Sequence, residues 1–282
     1  MERDWDRLKI WIVRKRLQGW SVAEICAHAK ISRDMFYRWW NRYRKEGWAG
    51  LEERSRGRPK GSGIGNELRR RIVGLRKRYE WGPNKIEGYL EQRGFNVPHN
   101  RIYRVFCEEG LNNPITGSRR TWGRKRFERE HSNSLWQADF KLCEDDHWMI
   151  SFQDDHSRFI TGSTKMWNPT GEKAIQLLER SVKRFGVPTQ VLTDQGTQFK
   201  PARGELSMFT EHCEGLGIHH ITASKRRPTT IGKIEAFHKA YVNEAHLFNR
   251  HWAFVRYYNY TRPHEALTYL TPATVYFRDL KV

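Results

Sequence analysis

The sequence predicts two small all-α modules followed by an α/β domain with a mixed sheet. First, 282 residues are enough for about two domains. Second, the net charge of +19 is unevenly distributed: residues 1–133 carry 32 Lys/Arg and 16 Asp/Glu, whereas the remainder is nearly balanced. Third, the pattern after residue 134 is three strands and then alternating helices and strands. The positive field favours nucleic acid or an anionic membrane surface as a partner and argues against an enzyme without a polyanion partner.

Composition also narrows the setting in which we expect this chain to act. No run of about 18 apolar residues is present, so we expect no transmembrane helix. The charged start, MERDWDRLKI, has no apolar segment typical of a secretory signal. The four cysteines are far apart and form no CxxC pair, so neither a disulfide framework nor a zinc ribbon is expected. A reducing cytoplasm fits this pattern.

The first predicted module, residues 1–52, contains clear helix start and stop signals. Ser21 and Glu24 form a capping-box pattern for a short second helix. Ser32 is an N-cap candidate for a third helix, which is expected to end at Gly47. Three short helices with these caps are typical of a helix-turn-helix.

The third helix of this module has two distinct faces. Its core-facing positions, by helical spacing, are Phe36, Trp40 and Tyr43. The positions expected to face a DNA major groove are Arg33, Tyr37 and Arg38. The alternative is a three-helix bundle with a solvated charged face.

A second helix-turn-helix is predicted over residues 66–112. Trp81-Gly82-Pro83 separates its first two helices, and Pro98 is suited to the start of the third. The residues of that third helix expected to face DNA are Asn100, Arg101 and Arg104. A purely structural bundle is again the alternative.

Two basic linkers flank the second module. Residues 53–65 are rich in Gly and charge, and their Arg56-Gly57-Arg58-Pro59 resembles an AT-hook core. Arg56 and Arg58 would then enter a narrow minor groove, where the negative potential attracts arginine. A flexible basic linker is an equal alternative. The second linker is residues 113–133.

The α/β domain is predicted over residues 134–248, with a C-terminal tail at 249–282. Strands are expected at 135–140, 148–155, 158–164, 191–193 and 218–222. Helices are expected at 171–185, 205–216 and 231–248, the first of them capped by Thr170.

Three carboxylates in this domain suit metal-dependent phosphoryl transfer. Asp139 and Asp194 are placed at strand ends, and Glu235 is on a later helix. Mg²⁺ prefers oxygen ligands, and two such ions about 3.5–4 Å apart can serve an in-line displacement. Any one of these residues alone would be better interpreted as a turn or cap residue. Their order behind a basic, helical N-terminal half favours catalysis.

Several motifs together resemble the integrase-type DDE transposases of bacterial and archaeal insertion sequences, within the retroviral integrase superfamily. The matching segments are WQAD at 136–139, DDHSR at 154–158, LTDQGTQF at 192–199, RPTTIGKIE at 227–235, and tail residues Tyr258, Asn259, Arg262, Pro263, His264, Thr271 and Pro272. This resemblance covers nearly the whole chain.

The resemblance implies a ribonuclease H-like catalytic core and a specific reaction. It implies that Asp139, Asp194 and Glu235 are catalytic and hold Mg²⁺ or Mn²⁺. It implies nicking of terminal-repeat DNA and joining of its 3′-OH ends to target DNA, with no covalent protein intermediate. Double-stranded DNA, both transposon ends and target, is the implied partner. A homo-oligomer on DNA, no membrane, and a prokaryotic cytoplasm close to the nucleoid are expected.

The chain departs from that family at three points near Glu235. Ile231 stands where the family usually has Asn, and Ala236 where it usually has Arg. The 40 residues between Asp194 and Glu235 are more than is common, and we place the extra length at residues 201–206. Lys239 lies four residues after Glu235 on the same helix face and is a candidate for holding the phosphate beside the scissile bond. Lys233, two residues before Glu235, is a candidate for holding the substrate end from the loop side. A solvated cationic face is the alternative for both.

Three functions remain open at this point. The first is an active DDE transposase, and the second is a DNA-binding regulator with a catalytically impaired integrase core. The third is a structure-selective nuclease, which needs little sequence readout and is therefore disfavoured by two helix-turn-helix modules.

Overall fold

The computed structural model describes residues 5–52, 63–112, 128–199, 207–223 and 232–280. The chain divides into two compact units, Met1–Gly63 and Ile64–Val282. Each unit is described by itself below.

Unit 1 is a three-helix module built around a small aromatic core. Its helices are α1 (Trp5–Leu17), α2 (Val22–Ala29) and α3 (Arg33–Glu46), followed by a 3₁₀ turn at Gly47–Leu51. The predicted capping box is present, since the Glu24 amide donates to Ser21 Oγ and the Ser21 amide donates to Glu24 Oε2. Ser32 caps α3 as predicted, and Gly47 ends it.

The core-facing register of α3 differs from the prediction at one position. Phe36 and Trp39 are buried, whereas Trp40 and Tyr43 are only partly buried. Trp39 and Trp40 are adjacent, so helical spacing alone could not decide which ring enters the core. Ile12, Val13 and Ile25 complete that core.

Unit 2 begins with the three helices of the second predicted module. They are α4 (Asn66–Tyr79), α5 (Pro83–Glu91) and α6 (His99–Glu108). Pro98 occupies the N-cap position of α6 rather than its first helical position, and Gly65 occupies the N-cap position of α4. The six-part domain division made from sequence stays a prediction, but here α4–α6 lie in the same compact unit as the α/β domain.

A five-stranded mixed sheet forms the centre of unit 2. Its strands are β1 (Trp136–Leu142), β2 (Trp148–Asp154), β3 (Ile160–Met166), β4 (Gln190–Thr193) and β5 (His219–Thr222). The order across the sheet is β3-β2-β1-β4-β5, with β1 antiparallel to β2 and parallel to β4. The α/β fold with a mixed sheet is therefore confirmed.

Helices cover both faces of the sheet. The remaining helices are α7 (Gly171–Phe185), α8 (Met208–Gly215), α9 (Gly232–Glu244), α10 (His251–Tyr260) and α11 (Pro272–Asp279). Ile150 and Phe152 pack with α7 and α8, whereas Met149 packs with α9 and α10. Because side chains alternate along a strand, α9 lies on the face opposite α7.

Candidate active site and DNA-facing surfaces

Asp139 and Asp194 lie side by side at the centre of the sheet, Asp139 within β1 and Asp194 directly after β4. The register of the parallel strands β1 and β4 pairs Ala138 with Thr193. The next residue of each strand is one of the two aspartates, so both carboxylates start from neighbouring backbones. Asp139 is partly buried, and so is Asp194.

Glu235 approaches the same strands from the first turn of α9. This helix packs on β1 and β2, and the Ile234 amide donates to Gln137 Oε1 at 3.4 Å. Glu235 is exposed, whereas Ile234 and Phe237 on either side are buried. The burial pattern of α9 therefore fixes the helix on the sheet and leaves the carboxylate accessible.

The surroundings of Asp139 disfavour its ionised form. Burial, the charge of Asp194 and that of Glu235 raise the pKa of Asp139 to about 7, against a smaller lowering by the Phe140 amide. Each pKa unit corresponds to about 1.4 kcal/mol, so the ionised form of Asp139 is markedly disfavoured without a cation. Oxygen ligands that repel one another in this way fit a hard divalent ion such as Mg²⁺. Within the described ranges, no three His, Cys, Asp or Glu side chains lie close enough to form a ready-made metal cluster.

His238 is a neighbour of the site that sequence reasoning did not select. Its Nδ1 lies 3.5 Å from Asp139 Oδ2, and its ring is 5% exposed. Burial, and to a lesser degree the charge of Lys141, lowers its pKa to about 4, so the ring is neutral near pH 7. Its Nε2 is buried and, among the residues that the structure describes, has no hydrogen-bond partner. The available signal was its position three residues after Glu235, on the same face of α9.

Lys233 contacts the turn after β2 within the protein, and its predicted contact with the substrate end stays a prediction. Its Nζ lies 2.7 Å from Asp155 Oδ2 and also donates to the Asp155 carbonyl oxygen at 3.0 Å. The Asp155 side chain is fully buried, and burial lowers the pKa of Lys233. Gln137 Nε2 donates to the other oxygen of Asp155 at 2.8 Å. Lys233 thus ties the start of α9 to the turn after β2.

Lys239 and Ala236 lie on the open side of α9. Both are exposed, and in the part of the chain that the structure describes Lys239 forms no ion pair. A cation here is accessible to a phosphate. Two of the differences from the resembling family lie outside the described residues: Ile231, which stands in place of Asn, and residues 201–206, where we placed the extra length.

Both predicted recognition helices present their expected residues outward. On α3 these are Arg33, Tyr37 and Arg38, and on α6 they are Asn100, Arg101 and Arg104, all of them exposed. Arg56 and Arg58 lie outside the described residues. A contact of any of these side chains with DNA remains a prediction.

Comparison with protein families gives three matches that follow the order of the chain. Residues 8–60 match a helix-turn-helix domain, residues 35–106 a homeodomain-like domain, and residues 129–228 the integrase core domain. The segment 129–228 is thus similar to an integrase core domain. That segment contains both Asp139 and Asp194, and the helix-turn-helix matches agree with the N-terminal prediction.

Two curated relatives share parts of this architecture. The insertion element IS407 uncharacterized 31.7 kDa protein of Burkholderia multivorans is 28% identical over 73% of this chain and 79% of its own length. The putative integrase ORF3 of Spiroplasma virus SpV1-C74 is 25% identical over 52% of this chain, which spans only half of that relative.

Several solved structures resemble part of this chain. The BIV integrase catalytic core covers 53% of this chain and 97% of its own, at 19% identity and a TM-score of 0.41. The HTLV-2 integrase catalytic core in complex with magnesium covers 52% of this chain and 98% of its own, at 17% identity and a TM-score of 0.42. A simian T-cell lymphotropic virus intasome in complex with the PP2A regulatory subunit B56 gamma covers 73% of this chain and 72% of its own, at 14% identity and a TM-score of 0.45. In the part of the chain described here, none of the helices combines the length and apolar character needed to cross a bilayer.

Proposed function

We propose that this protein is a transposase that nicks terminal-repeat DNA and joins the resulting 3′-OH ends to target DNA by two-metal phosphoryl transfer. The observation that carries the proposal is the position of Asp139 and Asp194 directly after the paired residues Ala138 and Thr193, with Glu235 in the first turn of α9, which packs on β1. Burial, and then the charges of Asp194 and Glu235, raise the pKa of Asp139 to about 7, as expected for a carboxylate that is to bind a cation. The integrase core and the basic helix-turn-helix half supply the matching substrate class.

In this mechanism Asp139, Asp194 and Glu235 hold Mg²⁺ or Mn²⁺. Such ions supply activation of the attacking oxygen and stabilisation of the leaving oxygen. Lys239, exposed on α9 beside Glu235, binds a phosphate of the DNA near the scissile bond. Lys233 holds α9 against the sheet through Asp155 and so orients Glu235. Water or a DNA 3′-hydroxyl is the nucleophile, and no side chain becomes covalently attached.

The test is nicking of end-containing double-stranded DNA with Mg²⁺ or Mn²⁺. Asp194→Asn and Glu235→Gln keep the shape of each side chain and remove one anionic ligand. We expect nicking to fall by orders of magnitude in both variants while DNA binding persists, because the exposed cations of α3 and α6 are untouched. Nick formation on sequencing gels and binding by mobility shift are the two measurements.

A matched substitution separates the site from general damage. Asp146→Asn changes an exposed turn residue with φ of 59°, a conformation that Asn tolerates, and should leave nicking unchanged. Equal nicking by the wild type, Asp194→Asn and Glu235→Gln would contradict the assignment.

One observation favours a second candidate, a DNA-binding regulator with an impaired integrase core. Ala236 is exposed directly beside Glu235, where the resembling family usually carries Arg, so one expected cation of the site is missing. For such a regulator the wild type would bind terminal-repeat DNA without nicking it, and Ala236→Arg would restore nicking. Nicking by the wild type excludes this candidate.

Two further parts of the proposal concern assembly and location. Joining two transposon ends to one target requires at least two active sites, so a homo-oligomer assembled on DNA is proposed. Its bacterial relative in an insertion element suggests action on chromosomal DNA in a prokaryotic cytoplasm, close to the nucleoid.

A further inference from the structure

The second helix-turn-helix does not have a hydrophobic core of its own. Its buried residues form one cluster with residues of the sheet, α9 and α10. From α4–α6 and the adjoining loops the cluster takes Ile72, Trp81, Ile86, Leu90, Val97, Ile102, Val105 and Phe106, and from the α/β domain it takes Met149, Ile160, Phe237, Ala240, Phe254, Tyr257 and Tyr258. Separating the two parts would expose apolar surface on both, at about 25 cal/mol per Å².

A buried polar network crosses the same boundary. Trp81 Nε1 donates to the Tyr257 hydroxyl at 2.6 Å, and that hydroxyl donates to Glu244 Oε2 at 2.9 Å. Arg262 holds Glu244 with two hydrogen bonds of 2.8 Å, and Lys85 Nζ lies 3.2 Å from Glu244 Oε1. Removing α5 from this position would leave part of a buried charge network unpaired, which is strongly unfavourable.

A close backbone approach adds a third restraint on α5. A Cβ atom at Gly88 would lie 2.3 Å from Cβ of Tyr269, so only glycine permits this packing. Gln92 Nε2 also donates to the Tyr269 carbonyl oxygen. The C-terminal end of α5 is therefore held by Tyr269 of the C-terminal tail.

Helix α9 connects this boundary to the proposed active site. It carries Glu235 in its first turn and Glu244 at its last residue, about 14 Å apart along the axis. The helix that presents a proposed catalytic carboxylate at one end is thus anchored to α5 at the other. Helix α6 packs on α4 and α5 and presents Asn100, Arg101 and Arg104 outward.

We infer that α6 and the three carboxylates form one rigid body, which sets the cleaved phosphate at a fixed offset from the base pairs that α6 reads. The inference rests on the proposed function and specifies what selects the bond that is cut. It requires that α4–α6 and α9–α10 do not unfold separately. It also requires that the number of base pairs between the bases read by α6 and the cleaved phosphate is constant.

The first test is native-state hydrogen exchange of the full chain, which needs no activity. Amides of α6 and α10 should open with the same free energy, because they belong to one cooperative unit. Opening of α4–α6 at a clearly lower free energy, with α9 and α10 still protected, would overturn the inference whatever the protein does to DNA.

The second test moves the DNA rather than the protein. One, two or three base pairs are inserted between the cleavage position and the footprint that Asn100→Ala and Arg104→Ala abolish. The nick should move with the footprint, or be lost, on each inserted DNA. Continued nicking at the original phosphate would overturn the fixed offset. Absence of nicking on the parent DNA would instead contradict the proposed function, leaving hydrogen exchange to decide the inference.

Two variants loosen the boundary without altering a DNA-facing or carboxylate side chain. Gly88→Ala forces α5 away from Tyr269 and should spread the nicks over neighbouring phosphates. Its control is Gly74→Ala on α4, where an added Cβ has no atom within 4 Å. If Gly88→Ala does not fold, Trp81→Phe keeps an aromatic ring, removes the hydrogen bond to Tyr257, and should produce a smaller spread of the same kind. Unchanged nick positions in a folded Gly88→Ala or in Trp81→Phe would count against the inference.

Discussion

At the scale of single residues, Asp155 connects the elements that carry the proposed site, although it is not one of the three proposed catalytic carboxylates. Its buried carboxylate accepts from Lys233, Gln137 and the Arg129 amide. Gln137 precedes Asp139 by two residues on β1, and Lys233 precedes Glu235 by two residues on α9. One side chain thus sets the spacing between two of the three proposed catalytic carboxylates.

Asp155→Asn should therefore reduce both stability and the order of α9. Removing one charge of a buried pair leaves the other uncompensated, at a cost of about 3–5 kcal/mol. Urea denaturation measures this change. The matched control is Asp145→Asn, which removes an ion pair between Lys165 and a half-exposed Asp145, worth about 1 kcal/mol or less. Equal losses in the two variants would contradict the structural role of Asp155.

At the scale of elements, regular patterns predicted most helices and strands closely. Helix α7 has the predicted bounds and the predicted Thr170 cap, and the five strands lie within two residues of their expected positions. Alternation of apolar residues and short polar caps are local signals, so a single sequence carries them. Helix α9 is shorter than predicted, because it ends at Glu244 and passes into a 3₁₀ turn at Ala245–Leu247.

Contacts between distant segments were not predictable in the same way. Spacing placed Lys233 beside Glu235, but its partner Asp155 lies 78 residues earlier in the chain. The shared core of α4–α6 and the α/β domain also left no local sign, since Trp81 and Tyr257 fit an isolated module or tail equally well. The strand order that brings Asp139 beside Asp194 follows from β1 and β4 pairing in parallel, which the sequence suggested only through family resemblance.

The junction of α5, α9 and α10 should give the fold a specific acid sensitivity. Burial disfavours the Glu244 carboxylate, but hydrogen bonds and charge from Arg262, with the charge of Lys85 and a hydrogen bond from Tyr257, lower its pKa to about 2 from 4.5. As pH falls, Glu244 therefore binds a proton at a higher pH in the unfolded chain than in the folded protein. The stabilisation is complete above about pH 4.5 and is lost as pH falls toward 2, in total about 3 kcal/mol.

Urea denaturation of the wild type and Glu244→Gln between pH 6 and pH 2.5 measures this contribution. The wild type should lose about 3 kcal/mol more than the variant over that range, because only the wild type carries the titrating carboxylate. If the free energies of unfolding of the wild type and Glu244→Gln changed in parallel with pH, Glu244 would have the same pKa in the folded and the unfolded chain.

At the scale of the whole molecule, charge and fold divide the chain at different places. The positive excess ends near residue 133, but the compact units meet near residue 63. Most of unit 2 is therefore nearly balanced in charge, while its N-terminal helices continue the cationic character of unit 1. A fragment that contains all of the excess charge would cut through the core of unit 2, so DNA binding is best measured on the full chain.

Binding of the full chain to end-containing DNA should weaken steeply with salt. The logarithm of affinity is expected to fall with the logarithm of salt concentration by about 0.9 for each phosphate contacted. If Arg38 and Arg104 each contact a phosphate, Arg38→Ala and Arg104→Ala should each reduce that slope by about 1. Lys183→Ala, an exposed cation at the end of α7, serves as the control and should leave the slope unchanged. A slope near zero for the wild type would contradict a DNA-anchoring role for the cationic half.

The shared core also divides the positions of α6 by their freedom to change during evolution. Ile102, Val105 and Phe106 are buried within unit 2, whereas Asn100 and Arg104 are exposed. A descendant of this protein could acquire a new DNA end through substitutions at the exposed positions, one at a time, with the catalytic geometry inherited unchanged. Transplanting a foreign recognition helix whole would instead require its hidden side to fit a cluster shared with α9 and α10. Within unit 2, divergence of specificity should therefore be confined to the exposed face of α6.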